Sequence, residues 1–417
     1  MAANLPRDKT PPAYDVEAVR RDFPVLATTV HGHPLTYLDS AASSQPALPV
    51  LRAVEDYERH SHANVHRGVH ALSQAATSAF EGARERVRRF INAASVREII
   101  FVRGTTEGIN LVAQAYARPR FRPGDEILIT GLEHHANIVP WQLVCEQTGA
   151  TLRVAPINRR GEVPFDEFQR LLGARTRLVA LAHVSNALGT VLPVKRMVDA
   201  AHAHGAVALI DGAQAVPHTQ IDVRALGADF YTFSGHKMYA PTGIGVLYGR
   251  EQLLAAMPPW QGGGDMILTV SFEKTTYNEL PAKFEAGTPN ISGAVGLAAA
   301  MDYLERLGLP AIAAHEQRLL ELATAELARL PDIELIGTAA HKAAVLSFNM
   351  QGVHAHDLGT ILDAEGVAVR TGHHCAMPVM TFFGLPATAR ASFGCYNTEE
   401  DVARLTRALQ GAREVFG

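Results

Sequence analysis

The sequence predicts an α/β fold with a large domain and a smaller second domain, and three observations lead to this prediction. Short β-rich runs alternate with helical stretches from about residue 99 onward. Such alternation is typical of βαβ units, which build a mostly parallel sheet covered by helices on both faces. The chain has 417 residues, whereas a single hydrophobic core usually stops growing at about 250–300 residues. A second α/β pattern follows beyond residue 290.

The strand-like runs of the large domain are short and rich in Val, Ile and Leu. They span residues 99–102, 126–130, 151–155, 177–181 and 206–210. Polar or glycine-rich segments follow four of them, at 103–106, 131–134, 183–186 and 211–214. Ligands of parallel sheets bind beyond the carboxyl ends of the strands. We therefore expect these segments to line one crevice.

The segment from residue 257 to residue 290 marks the predicted domain boundary, because it is rich in Pro and Gly and lacks hydrophobic periodicity. A helical pattern begins near Ile291, and strand-like runs at 345–348 and 389–393 predict a second α/β unit. A capping-box pattern at 398–401 predicts the start of the last helix. The predicted parts are an N-terminal segment 1–30 packed on the small domain, a large domain 31–285 and a small C-terminal domain 286–417.

The composition argues against several classes of function. The chain has 38 Lys and Arg against 42 Asp and Glu, a net charge of -4, and so no broad basic surface for nucleic acid or anionic lipid. It contains no run of 18 or more apolar residues and no apolar signal sequence at its start. We predict a cytoplasmic protein that binds neither nucleic acid nor membranes. Its three cysteines are too few and too scattered for a disulfide framework.

Lys237 is the first candidate catalytic residue. It ends the sequence Ser234-Gly-His-Lys237 and lies in a segment almost free of other charges. The ordinary alternative is a solvated surface lysine, because lysine is rarely buried. A partly desolvated amine, however, has a lowered pKa and readily forms a Schiff base. The segment therefore indicates a lysine that binds pyridoxal 5′-phosphate (PLP).

Four further residues fit the hypothesis of a PLP site. Asp211, at a predicted strand end, can pair with the pyridine nitrogen and keep the ring an electron sink, although a helix N-cap is the alternative role. Gln214 can reach the ring hydroxyl oxygen. Thr105 and Thr106, which follow Gly104 at the start of a helical run, offer free N–H groups to a phosphate, unless the turn is a plain helix cap.

His134 lies just beyond a strand, where its ring can stack on the cofactor or move a proton. A structural histidine is the alternative. No dinucleotide-binding fingerprint competes with the PLP hypothesis, because Gly243-Ile-Gly245 leads into a strand-like run rather than a helix.

Cys375 is the second candidate catalytic residue. It lies in the sequence Arg370-Thr-Gly-His-His-Cys-Ala-Met-Pro378, which predicts an accessible loop that favours a thiolate. A zinc site is the rival interpretation, but adjacent side chains diverge and no second Cys-x-x-Cys pair exists. We predict no metal. Cys145 fits the face of a helix and is predicted to be an inert core thiol, whereas Cys395 lies in a strand-like run with little reach.

Arg390 lies on a predicted strand and carries the planar group that binds a carboxylate through two hydrogen bonds. A surface salt bridge is the alternative.

With these residues in place, the sequence resembles the SufS-like, group II cysteine desulfurases, which are fold-type I PLP enzymes of the class V aminotransferase family. The likeness runs from about Val16 to the C-terminus, with small departures at Ala187 and Gly394-Cys395. The stretches that carry it are Tyr37-Leu-Asp-Ser-Ala-Ala42, Ala63-Asn-Val-His-Arg-Gly68, Gly104-Thr-Thr-Glu-Gly-Ile-Asn110, Glu133-His-His-Ala-Asn-Ile-Val-Pro-Trp141, Asp211-Gly-Ala-Gln214, Ser234-Gly-His-Lys237, Phe284-Glu-Ala-Gly-Thr-Pro-Asn290 and Arg370-Thr-Gly-His-His-Cys-Ala-Met-Pro378.

The resemblance implies a large domain with a mostly parallel sheet of seven strands, and it implies a role for each residue of the site. Lys237 would bind PLP covalently, Asp211 the pyridine nitrogen and Gln214 the ring oxygen, while His134 would stack on the ring. The residues implied at the phosphate are Thr106, Ser234 and His236, with Thr288 of a neighbouring subunit in a homodimer. Asn186 and Arg390 would bind the substrate carboxylate, and Arg370 would lie near the cysteine loop.

The function implied is conversion of L-cysteine to L-alanine, with the sulfur held as a persulfide on Cys375. A SufE- or SufU-like acceptor protein would then receive the sulfur for iron–sulfur cluster assembly. The alternatives are selenocysteine lyase activity on L-selenocysteine, an aminotransferase in which Cys375 is structural, and a persulfide relay without turnover. The relay fits poorly, because it would have no use for the Lys237 segment.

Overall fold

The centre of the molecule is a sheet of seven strands, six of which run in the same direction. The structure is a computed structural model and describes residues 14–416. In order across the sheet, the strands are Ile99–Val102, Gly245–Gly249, Phe230–Ser234, Val207–Asp211, Thr176–Ala182, Glu126–Thr130 and Thr151–Ala155. The strand Gly245–Gly249 runs opposite to the other six strands of this sheet. The predicted α/β fold with a mostly parallel sheet is confirmed.

Apart from the edge strand Thr151–Ala155, the strands are mostly buried and rich in apolar residues because both faces of the sheet are covered. Ile99 and Phe101 belong to one buried cluster, whereas Ile100 and Val102 belong to the cluster on the opposite face. Successive side chains of a strand point to opposite faces, so a doubly covered strand must be apolar at every position.

Helices cover each face of this sheet. On the first face are Leu48–His60, Ala71–Phe90, Phe165–Leu171, Val194–Ala203, Val223–Leu226 and Ile291–Leu307. On the second face are Thr105–Leu111 with its continuation Val112–Ala117 and Arg118–Arg120, and the helices Val139–Thr148 and Glu251–Ala256.

A second, antiparallel sheet forms the core of the C-terminal part. Its strands are, in order, Ile333–Ile336, Val345–Met350, Thr388–Ser392 and Arg370–Gly372. The helices Leu309–Ala328, Ala355–Ala364 and Glu399–Phe416 share a buried cluster with it. A short helix, Met377–Phe383, follows the segment that contains Cys375. A hairpin of Ile267–Val270 and Thr275–Tyr277 lies in the segment between the two sheets.

Residues near the start of the described chain are tied to the C-terminal part. Thr36–Tyr37 pairs in parallel with Val367–Ala368. The helix Val16–Arg21 is held by an ion pair of 3.1 Å between Arg20 and Asp401. Residues 1–13 of the predicted N-terminal segment 1–30 lie outside the described residues.

The division at residues 285 and 286 stays a prediction. Beyond it, the helix Ile291–Leu307 packs against the helices Leu48–His60 and Ala71–Phe90 of the large sheet's first face. The first helix beyond the predicted boundary therefore packs on the large sheet.

A buried ion pair between Arg84 and Glu285 lies at the predicted boundary. Arg84, only 1% exposed, donates hydrogen bonds of 2.6 and 2.9 Å to the two carboxylate oxygens of Glu285 and one of 2.9 Å to the carbonyl of Ile99. Burial disfavours its charge, but the carboxylates of Glu285 and Glu81 outweigh that effect and raise the pKa of Arg84. The pair joins the helix Ala71–Phe90 to the segment that leads into the C-terminal part.

We expect Arg84→Leu to lower the free energy of unfolding by about 3–5 kcal/mol, because it leaves the Glu285 carboxylate buried without its partner. Urea denaturation of both proteins at equal concentration measures the difference. Arg88→Ala is the control, since its partner Glu85 is partly exposed, and we expect a loss of about 1 kcal/mol or less. Equal losses in the two variants would contradict this interpretation of the buried pair.

Candidate active site

A cavity of about 210 Å³ opens at the carboxyl ends of the parallel strands. Asp211 is the last residue of one strand and Ser234 the last of its neighbour. The cavity walls contain ten of the residues predicted from the sequence, namely Thr105, Thr106, His134, Asn186, Asp211, Gln214, Ser234, His236, Lys237 and Arg370. The crevice expected from the strand pattern is therefore present, and it contains most of the predicted site.

Lys237 ends a single helical turn, Gly235–Lys237, directly after the strand that contains Ser234. Burial lowers the pKa of its amine to about 8, although the nearby carboxylate of Asp211 favours the charged form. The positive charges of Arg390 and Arg370 lower the pKa further. This amine therefore loses its proton more readily than an ordinary lysine, and only the uncharged form can attack a carbonyl.

Asp211 and Gln214 fit the polar edge of a PLP ring. Burial raises the pKa of Asp211, and Oδ1 accepts a 2.9 Å hydrogen bond from the N–H of Ala213. Within residues 14–416, Oδ2 has no hydrogen-bond donor, so it is free to pair with a protonated ring nitrogen. Gln214 donates one N–H to the carbonyl of Ala41 at 2.7 Å and keeps its second N–H for a ring oxygen.

The opposite end of the cavity fits a phosphate. The hydroxyl of Ser234 accepts a 2.9 Å hydrogen bond from the N–H of Thr105, whose own hydroxyl also lies 2.9 Å away. These groups stand at the start of the helix Thr105–Leu111, where backbone N–H groups favour anions. Burial lowers the pKa of His236 to about 4, so its imidazole is neutral and would bind as a hydrogen-bond partner.

His134 is held in one tautomer. Its Nδ1 accepts a 3.0 Å hydrogen bond from the N–H of Ala136, so the ring proton lies on Nε2. Burial, followed by the positive charge of Lys237, lowers the pKa of His134 to about 3. The ring is therefore neutral, which suits stacking and hydrogen-bond donation.

Sequence reasoning missed Glu133, which anchors this segment. Its carboxylate accepts hydrogen bonds from the hydroxyl of Thr130 at 2.6 Å, the N–H of Ala182 at 3.1 Å and the amide of Asn137 at 2.6 Å. Burial raises the pKa of Glu133 to about 7. Thus Glu133 joins the ends of two strands to the turn that begins at His134. An acidic residue three positions after the end of an apolar strand was the available signal.

Arg390 is fully buried on the strand Thr388–Ser392, next to the cavity. It donates hydrogen bonds of 2.9 Å to the carbonyl of Asn186 and 3.0 Å to the carboxylate of Asp39. Burial lowers the pKa of Arg390, while Asp39 opposes that shift. Asp39 is a second residue that sequence reasoning missed, although it stands out as a lone acid among small residues.

Cys375 lies half-buried on the loop beyond the strand Arg370–Gly372, with its Sγ 3.5 Å from Nη2 of Arg370. The guanidinium is placed to stabilise a thiolate. The loop is connected to Asn186, which is predicted to bind the substrate carboxylate, because the side-chain amide of Asn186 donates a 2.6 Å hydrogen bond to the carbonyl of His374.

The other two cysteines lie in less reactive settings. Cys145 is on the helix Val139–Thr148, and burial raises the pKa of its thiol. Cys395 is fully buried just after the strand Thr388–Ser392 rather than on it, and burial raises its pKa as well.

Thr288 is the one predicted site residue that the structure leaves apart from this arrangement. It is exposed and lines a different cavity, of about 320 Å³, together with Arg103, Glu107 and Trp260. Within residues 14–416, it therefore does not line the cavity of its own Lys237.

Comparison with known proteins identifies the family. Residues 36–405 match the family model of aminotransferase class V. The chain is 54% identical over 406 residues to the cysteine desulfurase of Enterobacter sp. (strain 638), covering 97% of this chain and all of that one. It is also 52% identical to the cysteine desulfurase of Synechococcus elongatus, covering 95% of this chain but spanning only 63% of that protein.

The chain belongs to the class V aminotransferase family. Among solved structures, the cysteine desulfurase CsdA (S-sulfonic acid) from Escherichia coli is similar, with a TM-score of 0.90 and 41% identity over 97% of this chain and all of that one. The predicted resemblance is confirmed, and so is the prediction of a PLP-dependent enzyme. The roles of the individual site residues stay predictions.

The lowered pKa of Lys237 predicts how cofactor-free protein takes up PLP. Only the uncharged amine can attack an aldehyde, so the rate of uptake should rise with pH and level off above about 8. Stopped-flow absorption of added PLP measures the rate. Reaction of PLP with Nα-acetyl-lysine is the control and should keep rising toward the ordinary lysine pKa of 10.5. A protein rate that follows the control curve would contradict the lowered pKa.

Proposed function

We propose that the protein converts L-cysteine to L-alanine and takes the sulfur as a persulfide on Cys375. The observation that carries this proposal is the joint placement of an amine, a pair of residues suited to a carboxylate and a thiol at or beside one cavity. Lys237 and Asn186 line the cavity, and Arg390 donates a hydrogen bond to the carbonyl of Asn186. Cys375 lies 3.5 Å from Arg370, which also lines the cavity. An aminotransferase would have no use for a thiol held there.

Binding and orientation come first. Arg390 keeps N–H groups for a substrate carboxylate, because Asn186 and Asp39 each occupy only one of them. Lys237, Asp211, Gln214 and Ser234 would hold PLP as described above. When bound, PLP withdraws electrons from the Cα of an attached amino acid.

The residues of the chain then move protons and sulfur. The uncharged amine of Lys237 accepts the Cα proton, since its pKa of about 8 lets it carry a proton and release it again. The Cys375 thiolate attacks the sulfur of the substrate, so an S–S bond forms as the C–S bond breaks. The electron pair of the C–S bond stays on carbon, which is protonated to give L-alanine.

The sulfur then leaves for a second protein. Cys375 is half-buried on a loop of limited reach, so the acceptor must bring its own thiolate to attack the persulfide. A SufE- or SufU-like protein that supplies iron–sulfur cluster assembly fits this requirement. Among residues 14–416, no helix is both long and apolar enough to cross a membrane, and a cytoplasmic location stays a prediction.

The active enzyme is a homodimer in this proposal, and two features support it. Thr288 is exposed on a cavity wall away from Lys237 of its own chain. The nearby hairpin exposes Leu268, Val270, Phe272 and Tyr277 to solvent. Contiguous exposed apolar patches mark interaction sites. A second copy would cover the hairpin and bring its Thr288 to the phosphate.

Cys375→Ala should keep PLP bound and still respond spectrally to L-cysteine, because Lys237 and Arg390 remain. Its L-alanine production should fall at least about 100-fold, since it lacks the nucleophile. Cys145→Ser and Cys395→Ser are the matched controls and should keep most activity. Mass spectrometry after brief exposure to L-cysteine should place the added sulfur on the Cys375 peptide. Undiminished alanine formation by Cys375→Ala would refute the assignment of Cys375 as the nucleophile.

Lys237→Ala should lose both the visible absorption of the cofactor and turnover.

A mixing experiment tests the shared site. Lys237→Ala lacks the amine, and Thr288→Glu places a negative charge beside the phosphate, so each variant alone should be inactive. If Thr288 acts across a dimer interface, each mixed dimer contains one intact site, and a randomised mixture should recover about a quarter of wild-type activity. Sedimentation should show a dimer throughout. A mixture that stays inactive while its subunits exchange would place Thr288 outside the partner's site.

A further inference from the structure

The loop that carries Cys375 has an unusual backbone. His374 and Cys375 are consecutive non-glycine residues in the left-handed region, with φ of 53° and 55°. A non-glycine residue in this region is strained and persists only where the surroundings hold it in place. Contacts from outside the loop must therefore stabilise this conformation.

We infer that His135 is a positioning residue that holds the Cys375 loop in its reactive conformation, and that it does so only while its imidazole is uncharged. This inference rests on the proposed role of Cys375 as the sulfur acceptor. His135 follows His134 in sequence, so one turn contacts the cofactor cavity with its first histidine and the cysteine loop with its second.

Two hydrogen bonds from His135 enclose the cysteine. Its backbone N–H donates to the carbonyl of Cys375 at 2.8 Å, and Nε2 of its ring accepts from the N–H of Met377 at 3.0 Å. The turn itself is held in place, because the side-chain amide of Asn137 donates a hydrogen bond to the buried carboxylate of Glu133. His135 thus connects the loop to the end of the large sheet.

The ring of His135 also completes a helix end. Met377 begins the helix Met377–Phe383, and the residue before it, Ala376, provides no side-chain cap. The first N–H groups of a helix need acceptors from outside the helix. His135 supplies such an acceptor from a different part of the chain. Loss of its ring would leave the N–H of Met377 without this acceptor and would loosen both the start of the helix and the adjacent Cys375.

The bond to Met377 requires the neutral imidazole. Nε2 must offer a lone pair to the Met377 N–H, so the ring proton lies on Nδ1, and an imidazolium has no lone pair to offer. A charged ring would also repel the positive end of the helix dipole. Protonation therefore breaks the contact.

The groups around His135 favour its neutral form. The titratable groups near its ring are His373, at a ring distance of 5.5 Å, and His134, at 6.2 Å. On the loop that His135 contacts, the side chains of Arg370 and Cys375 lie 3.5 Å from each other. Burial, followed by His373, lowers the pKa of His135. Among residues 14–416, no carboxylate lies within ion-pairing distance of His135.

The test uses holoenzyme and measures the first turnover. His135→Ala should slow persulfide formation on Cys375 by about tenfold, the effect of losing one capping hydrogen bond at a reacting loop. Its KM for L-cysteine and its visible cofactor absorption should stay unchanged, because Lys237, Asn186 and Arg390 are not altered. His135→Gln should restore most of the rate, since the Gln carbonyl can accept the Met377 N–H.

The pH profile separates positioning from simple support of the fold. Wild-type activity should fall on the acidic side as His135 becomes protonated, and His135→Gln should keep its rate to lower pH because an amide does not titrate there. His354→Ala is the matched control. His354 also accepts a backbone N–H at a helix start, that of His356, but in the helix Ala355–Ala364. Its removal should leave the rate unchanged.

Each outcome decides a specific point. If wild-type holoenzyme places no sulfur on Cys375, the proposed function fails, whatever the His135 variants do. If wild type forms the persulfide and His135→Ala matches it in rate and pH profile, only the positioning role fails. Loss of cofactor from His135→Ala without rescue by Gln would also overturn the positioning role, because it would show that His135 supports the fold.

Discussion

The parallel alignment of the central strands is the constraint on which the rest of the site depends. Because neighbouring strands end at the same edge, residues that are far apart in sequence meet there without long loops. Asp211 and Ser234 end two of these strands, and Glu133 and Asn186 follow two others. Most of the side chains that would hold the cofactor are thus attached to the central sheet.

Burial changes the protonation of the ionisable groups around the cavity in different ways. The same desolvation lowers the pKa of Lys237, keeps His134 neutral and raises the pKa of Asp211. Arg390 remains an always-charged binding group because a guanidinium does not lose its proton in proteins. One low-dielectric pocket therefore contains an amine that can exchange protons beside a guanidinium that cannot.

Much of the fold and most of the candidate site were predictable from the sequence. The strands at 99–102, 126–130 and 151–155 have the predicted bounds. The first two are buried along their length, and such strands leave a nearly continuous apolar run in the sequence. Lys237 and Cys375 stood out because a lone amine and a thiol are unusual in Gly-rich segments of this kind. These signals are local, and they can be seen without knowing the fold.

The remaining residues depend on contacts between distant parts of the chain. Asp39 meets Arg390 across 351 positions of sequence, and His135 meets Met377 across 242. Nothing near either residue in the sequence indicates its partner. The position of Cys395 just beyond its strand shows the same limit on a smaller scale, since apolar periodicity alone did not fix where the strand ends.

The buried guanidinium of Arg390 has a consequence for what the enzyme can distinguish. Its Nε has no hydrogen-bond partner within residues 14–416, and Asp39 is its one acidic partner there. An aminothiol such as cysteamine could react with the cofactor through its amine, but it has no carboxylate to pair with this guanidinium. A polar group left unsatisfied in a buried site penalises the wrong ligand far more than a missing methylene does. In the proposed function, where Arg390 binds the substrate carboxylate, the site favours α-amino acids over the amines formed by their decarboxylation, and free cysteine over cysteine whose carboxylate is blocked in a peptide bond.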